Sequence, residues 1–125
     1  MPTAHLRVLV VDDHVDVADT LADLLGQLGF ATRVAYDGTT AVIAATEFEP
    51  DVVVLDLRLP DMNGDDVCKA LRALPGGGSM RIIALSGWNR EHVPTEGACF
   101  DDFLTKPVGA ATVLDLLAQS GAPSA

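Results

Sequence analysis

The 125-residue chain is poor in cysteine, aromatic residues and positive charge, and it has no long hydrophobic run. No stretch approaches the ~18 uninterrupted apolar residues that a membrane span needs, so a soluble domain without membrane contact is expected. Met1-Pro2-Thr3-Ala4-His5 leads into a six-residue strand-like run, with neither the longer apolar core of a signal peptide nor its cleavage site, and this argues for the cytoplasm. The two cysteines, Cys68 and Cys99, fit no metal or redox spacing and read as reduced packing residues. His5, His14 and His92 belong to no motif and are expected on the surface. Eight Lys and Arg against 18 Asp and Glu give a net charge of −10. Such a surface repels nucleic acid, so no direct DNA or RNA binding is expected unless another domain supplies it.

What the chain has is aliphatic residues. Apolar residues make up 49% of it, with only four Phe, one Trp and one Tyr, and the length suits one domain with one core. The stretch around which the rest is organised is Val52-Val53-Val54-Leu55-Asp56-Leu57-Arg58-Leu59-Pro60-Asp61-Met62-Asn63-Gly64. Its apolar start, bounded by Pro50 and Pro60, reads as a strand buried on both faces, the kind found in parallel sheets. It delivers Asp56 at the strand's carboxyl end, the edge of an open α/β sheet where ligands collect.

The remaining segments alternate between strand and helix periods. Leu6 to Val11 reads as a strand ending in Asp12-Asp13. A helix follows, with Val17, Leu21, Leu24, Leu25 and Leu28 on one face and Gly29 as its stop. Ala31 to Tyr36 reads as a partly exposed edge strand, and after the Asp37-Gly38 turn Thr39 or Thr40 caps a helix running to about Phe48. Beyond Gly64 a helix carries Val67, Ala70, Leu71 and Leu74 and stops at Pro75. Gly76-Gly77-Gly78 lacks the lysine of a phosphate loop and reads as a flexible connector. Arg81 to Ser86 is a fourth strand opening onto Gly87-Trp88, Asp102 to Lys106 a fifth closed by Pro107, and Val108 to Gln119 a last helix using Val113, Leu116 and Leu117. Between them Pro94 and Gly97 interrupt residues 89–100, so the fourth helix is expected to be shortened or irregular. Five strands alternating with helices predict a doubly wound parallel sheet of order 2-1-3-4-5 with helices on both faces.

That topology gathers Asp12, Asp13, Asp56, Ser86 and Lys106 at one edge. Singly, each has an ordinary role as a cap, a turn residue or a solvated charge; together they make a site. Three close carboxylates repel by roughly 4 kcal/mol per pair in a partly screened setting, which implies a divalent cation. Oxygen ligands favour Mg2+. With a cation on one side and Lys106 on the other, Asp56 is placed as a nucleophile toward a phosphoryl group, Ser86 would bond a phosphoryl oxygen, and Gly87 leaves the donor room.

Val-Val-Asp-Asp at 10 to 13, Leu-Asp-Leu-Arg-Leu-Pro-Asp-Met-Asn-Gly at 55 to 64, Leu-Ser-Gly at 85 to 87 and Lys-Pro at 106 and 107 resemble the receiver domains of two-component response regulators, over nearly the whole chain from Val8 through Gln119. The resemblance implies a flavodoxin-like fold and a single receiver domain over residues 1–125, with core 6–119 and a flexible tail 120–125. It implies Asp56 as phosphoacceptor; Asp12, Asp13, Asp56 and the Arg58 backbone carbonyl at a Mg2+ site; Ser86 and Phe103 as switch residues; Lys106 as phosphate-binding cation; and a cis bond before Pro107. Arg58, Gly87 and Trp88 would govern access and hydrolysis. The implied protein is a signalling switch that catalyses only its own phosphorylation and slow dephosphorylation, with a histidine kinase or a histidine phosphotransfer domain as partner. A free-standing receiver and a receiver of a hybrid histidine kinase both fit. Two rivals are an unphosphorylated interaction module, which would normally have lost Lys106 or an acid of the pair, and an aspartate-nucleophile phosphatase, in which an acid rather than Arg58 would follow Asp56 by two residues. An irregular fourth helix would favour a monomer and could let phosphorylation order residues 89–100.

Overall fold

A computed structural model of the chain describes residues 6–86, 99–105, 111–113 and 115. The elements are β1 (Arg7–Val11), α1 (Val15–Gln27), β2 (Ala31–Ala35), α2 (Gly38–Phe48), β3 (Val52–Asp56), α3 (Gly64–Arg72), β4 (Arg81–Ser86) and β5 (Asp102–Thr105), with a 3-10 turn at Gly77–Ser79. The strands form one parallel sheet in the order β2-β1-β3-β4-β5, as the alternation of periods predicts. Among the described residues no helix is long and apolar enough to cross a membrane.

Alternate residues of the central strands feed two core layers, because side chains of a strand point to opposite faces in turn. One layer holds Leu9, Val11, Val53, Leu55, Ile82 and Ala84 against α2 and α3. The other holds Val8, Val10, Val52, Val54, Ile83 and Leu85 against α1 and Val113, which lies in the last helical segment. All five residues of β3 are buried. The edge strand β2 is only partly covered, consistent with its mixed sequence.

Local details depart from the sequence reading. The buried stripe of α1 is Ala18, Leu21, Ala22 and Leu25, whereas Val17, Leu24 and Leu28 are exposed. Small alanines let α1 approach the sheet along that line and turn the larger side chains outward. The cap of α2 is Asp37, whose carboxylate accepts the Thr40 amide, rather than Thr39 or Thr40. Gly29, at φ 105°, follows the end of α1 in the left-handed region glycine tolerates.

The cysteines are not reduced packing residues. Cys68 and Cys99 form a disulfide across 31 positions, with Cα atoms 6.3 Å apart. Cys68 is carried into the core by α3, and the chain entering β5 crosses the same layer; spacing along the sequence does not reveal that meeting. Arg72, at the end of α3, fixes the crossing. Its guanidinium donates to the Gly77, Met80 and Cys99 carbonyls and pairs with Asp101. The triglycine connector contains a 3-10 turn in which Gly77 is buried against the Leu71 and Arg72 carbonyls, while Gly76 and Gly78 are exposed.

The expected irregularity of the fourth helix falls mostly outside the described residues. At the end of that interval Phe100 is buried and meets Phe103 with ring centroids 5.7 Å apart.

Candidate functional site

The register of the sheet assembles the site. Val11 of β1 lies opposite Leu55 of β3, so Asp12 and Asp56 emerge at the same level on neighbouring strands. The Asp12 amide still bonds the Ala35 carbonyl at 3.1 Å, which holds the start of the loop to β2. Asp56 pairs with Leu85, placing Ser86 one residue further along β4, and Ser86 pairs with Thr105, the residue before Lys106.

Asp12 and Asp56 are 1% and 3% exposed, the two buried charged residues among those described. Asp13 beside them is exposed. One ligand-type atom from each of Asp12, Asp13, His14 and Asp56 lies within 4.8 Å of the others. His14 is therefore part of the site and not simply a surface histidine. Its ring Nδ1 is 3.0 Å from Asp12 Oδ1 and 3.3 Å from Asp13 Oδ1, and its amide also donates to Asp12 Oδ1 at 3.0 Å. Position 14 directly follows the acid pair, and that adjacency is the signal a search for motifs passes over.

The loop after β3 folds back over the Asp56 carboxylate. The Arg58 amide donates to Asp56 Oδ1 at 3.1 Å, and Arg58 bridges to Asn63. Gly64 closes the loop: its amide bonds the Leu57 carbonyl at 2.9 Å, and a Cβ there would stand 2.7 Å from the Leu57 Cα. Asp61 extends from this loop to the start of α2, accepting the Gly38 amide at 2.7 Å and both the amide and hydroxyl of Thr39. These bonds, that from Gly38 foremost, hold the Asp61 carboxyl down at about 2. Asp61 thus ties the loop that follows Asp56 to the start of α2.

Phe103 is half-buried, packed beside Phe100 at the margin of the α2–α3 layer. Lys106, Pro107, Gly87 and Trp88 lie outside the described residues, and so does the cis bond expected at Pro107.

Residues 8–118 match the family model of the response regulator receiver domain. The chain belongs to that family. The receiver is 42% identical over 107 residues to the DNA-binding response regulator MtrA of Mycobacterium tuberculosis, covering 86% of this chain and 46% of that protein. It thus spans about half the length of the curated relatives it matches. Among solved structures it is similar to a CheY-like receiver domain from Methylobacillus flagellatus, at 33% identity and TM-score 0.83, covering 93% of this chain and 98% of that one. It is also similar to the receiver domain of the sensor histidine kinase PA1611 from Pseudomonas aeruginosa, at 28% identity and TM-score 0.80 over 93% and 97% of the two chains; that structure has a magnesium ion coordinated in its active site cleft. The receiver's own acidic pocket, with three carboxylates converging at a strand edge, is a donor set that suits a hard divalent cation.

Proposed function

We propose that this receiver takes a phosphoryl group onto Asp56 from a histidine kinase or a histidine phosphotransfer domain, in a Mg2+-dependent reaction, and signals through a change of shape. The observation that carries the reading is the level pairing of two buried carboxylates, Asp12 and Asp56, with Asp13 beside them. Burying like charges is costly, so such a pair stands where a cation and chemistry compensate.

Asp12, Asp13 and Asp56 would hold Mg2+ together with the Arg58 backbone carbonyl, and the ion would supply charge neutralisation for the carboxylates and the incoming phosphoryl oxygens. The Arg58 amide restrains the rotation of the Asp56 carboxylate. An oxygen of Asp56 attacks phosphorus in line; the O–P bond forms as the P–N bond of the donor breaks, its electron pair passing to the departing imidazole. Lys106 and Ser86 bind the transferred group, for which their sequence positions beside the register of Asp56 are suited. Ser86 moving toward the phosphoryl group draws Phe103 inward, and Arg58, Gly87 and Trp88 control the approach of water, so that the aspartyl phosphate is lost slowly.

The chain acts as one receiver domain, core 6–119 with tail 120–125, and works as a monomeric switch through protein partners. At net charge −10 the receiver's own surface would repel nucleic acid, so DNA binding would have to come from another domain. The DNA binding in MtrA's name belongs to a regulator about twice as long. Exposure to acetyl phosphate with and without Mg2+ tests the reading. A stable, Mg2+-dependent phosphoprotein is expected; rapid turnover would indicate a phosphatase, and no product a degenerate module.

A further inference from the structure

The acidic pocket contains one group that an all-oxygen Mg2+ site does not need, the His14 imidazole. We propose that His14 Nδ1 is a ligand to the same divalent ion as Asp12, Asp13 and Asp56, and that it biases this receiver toward manganese and later first-row ions over magnesium. The inference rests on reading the pocket as a divalent-ion site and adds a ligand and a selectivity to it.

Geometry is the first support. Donors about 2.1 Å from one ion at right angles stand about 3.0 Å apart, and opposite ones about 4.2 Å. The His14 Nδ1 separations from Asp12 Oδ1 and Asp13 Oδ1 are 3.0 and 3.3 Å, the edge lengths of such a polyhedron. The full spread of the four donors, 4.8 Å, closes with a small rotation of the Asp13 or His14 side chain, both on the open side of the pocket. Before an ion binds, the same 3.0 Å contact is a hydrogen bond that turns Nδ1 inward. On ligation Nδ1 offers its lone pair, and the imidazole proton resides on Nε2.

The second support is that the ring does not cap the helix it precedes. His14 occupies the N-cap position of α1 with extended backbone, φ −83° and ψ 97°, yet its side chain makes no capping hydrogen bond. A Ser, Thr, Asp or Asn would be the ordinary choice there. The ring instead faces two carboxylates while 65% exposed. An added imidazole donor changes selectivity: carboxylate and carbonyl oxygens suit Mg2+ and Mn2+, whereas imidazole favours transition ions, which Mg2+ resists by keeping oxygen ligands and water.

The test uses metal-free whole chain at pH 8, titrated with Mn2+ alone and against competing Mg2+, with free Mn2+ read by electron paramagnetic resonance. Wild type, His14→Ala, His14→Asn and Asp56→Asn are compared, and their metal-free circular dichroism melts confirm folding. His14→Ala is expected to weaken Mn2+ binding on the order of tenfold, as loss of a metal-site partner does, and to leave Mg2+ binding within about twofold. Pulsed resonance of bound Mn2+ should show a nitrogen-14 coupling in wild type that both His14 variants lose, a readout independent of phosphorylation. Equal Mn2+ affinity in wild type and His14→Ala, without nitrogen coupling, would overturn the ligand and leave the divalent-ion site standing. If wild type bound neither ion, or bound them as Asp56→Asn does, the pocket reading itself would fall and the ligand with it.

Discussion

Asp61 grips Thr39 twice, accepting its amide at 3.0 Å and its hydroxyl at 2.7 Å on one carboxylate oxygen while the other takes the Gly38 amide. The loop that follows Asp56 is thereby anchored to the first turn of α2, where an anion is also favoured by the exposed amides of the helix start. The Asp61 carboxyl lies at about 2, below the ordinary carboxylate range. Because the folded value is the depressed one, the stabilisation is fully present above the unfolded value of roughly 3.9 and disappears as pH falls toward 2. Side-chain carboxyl resonances should show Asp61 still ionised at pH 3. Asp61→Ala should be less stable than wild type at pH 7, by a margin that narrows as pH drops from 4; an equal margin at pH 7 and pH 3 would contradict this.

Arg72 gathers three carbonyls and one carboxylate from two separate stretches of chain. Removing it strands acceptors in a part-buried setting, where each costs about 1–3 kcal/mol. Arg72→Met should lower stability by roughly 3 kcal/mol in urea denaturation. Arg72→Lys should recover little, since an ammonium cannot reproduce the planar fork. Near-complete recovery by lysine would show that charge alone suffices.

The Cys68–Cys99 bridge closes a long loop, and loop-closure entropy alone makes that worth about 3–4 kcal/mol. Denaturation midpoints with and without a dithiol reductant should separate accordingly. Coincident curves would mean that Arg72 already holds the crossing.

Neighbouring glycines should respond oppositely. A methyl at Gly77 meets the Leu71 and Arg72 carbonyls, whereas one at Gly78 meets nothing within 4 Å. Gly77→Ala should cost about 1–3 kcal/mol, and Gly78→Ala less than ~0.5 kcal/mol. Equal effects would rule out a packed turn.

The sheet was legible because Val8 to Val11, Val52 to Leu55 and Ile82 to Leu85 are short aliphatic runs that only a two-sided core explains, and because each central run ends near a polar residue. Asp12, Asp13 and Asp56 follow from where those runs stop. Contacts between segments were not legible. Val17 and Leu24 share a helical spacing with Leu21 and Leu25, yet the narrower Ala18 and Ala22 take the approach to the sheet. His14 joins the pocket through backbone direction at a helix start, and Cys68 meets Cys99 through the path of a crossover; neither leaves a periodic trace. The glycine run looked free because its partners, the Leu71 and Arg72 carbonyls, belong to backbone and carry no sequence signature.

The proposed function stands on phosphoryl transfer to Asp56. The most direct measurement is to expose wild type and Asp56→Asn to a small phosphodonor with Mg2+, trap the acyl phosphate by borohydride reduction to homoserine, and locate it by peptide mass spectrometry. Homoserine is expected at position 56 in wild type, and no label in a folded Asp56→Asn protein. Undiminished labelling of that variant, or homoserine at Asp12 or Asp13 in wild type, would contradict it.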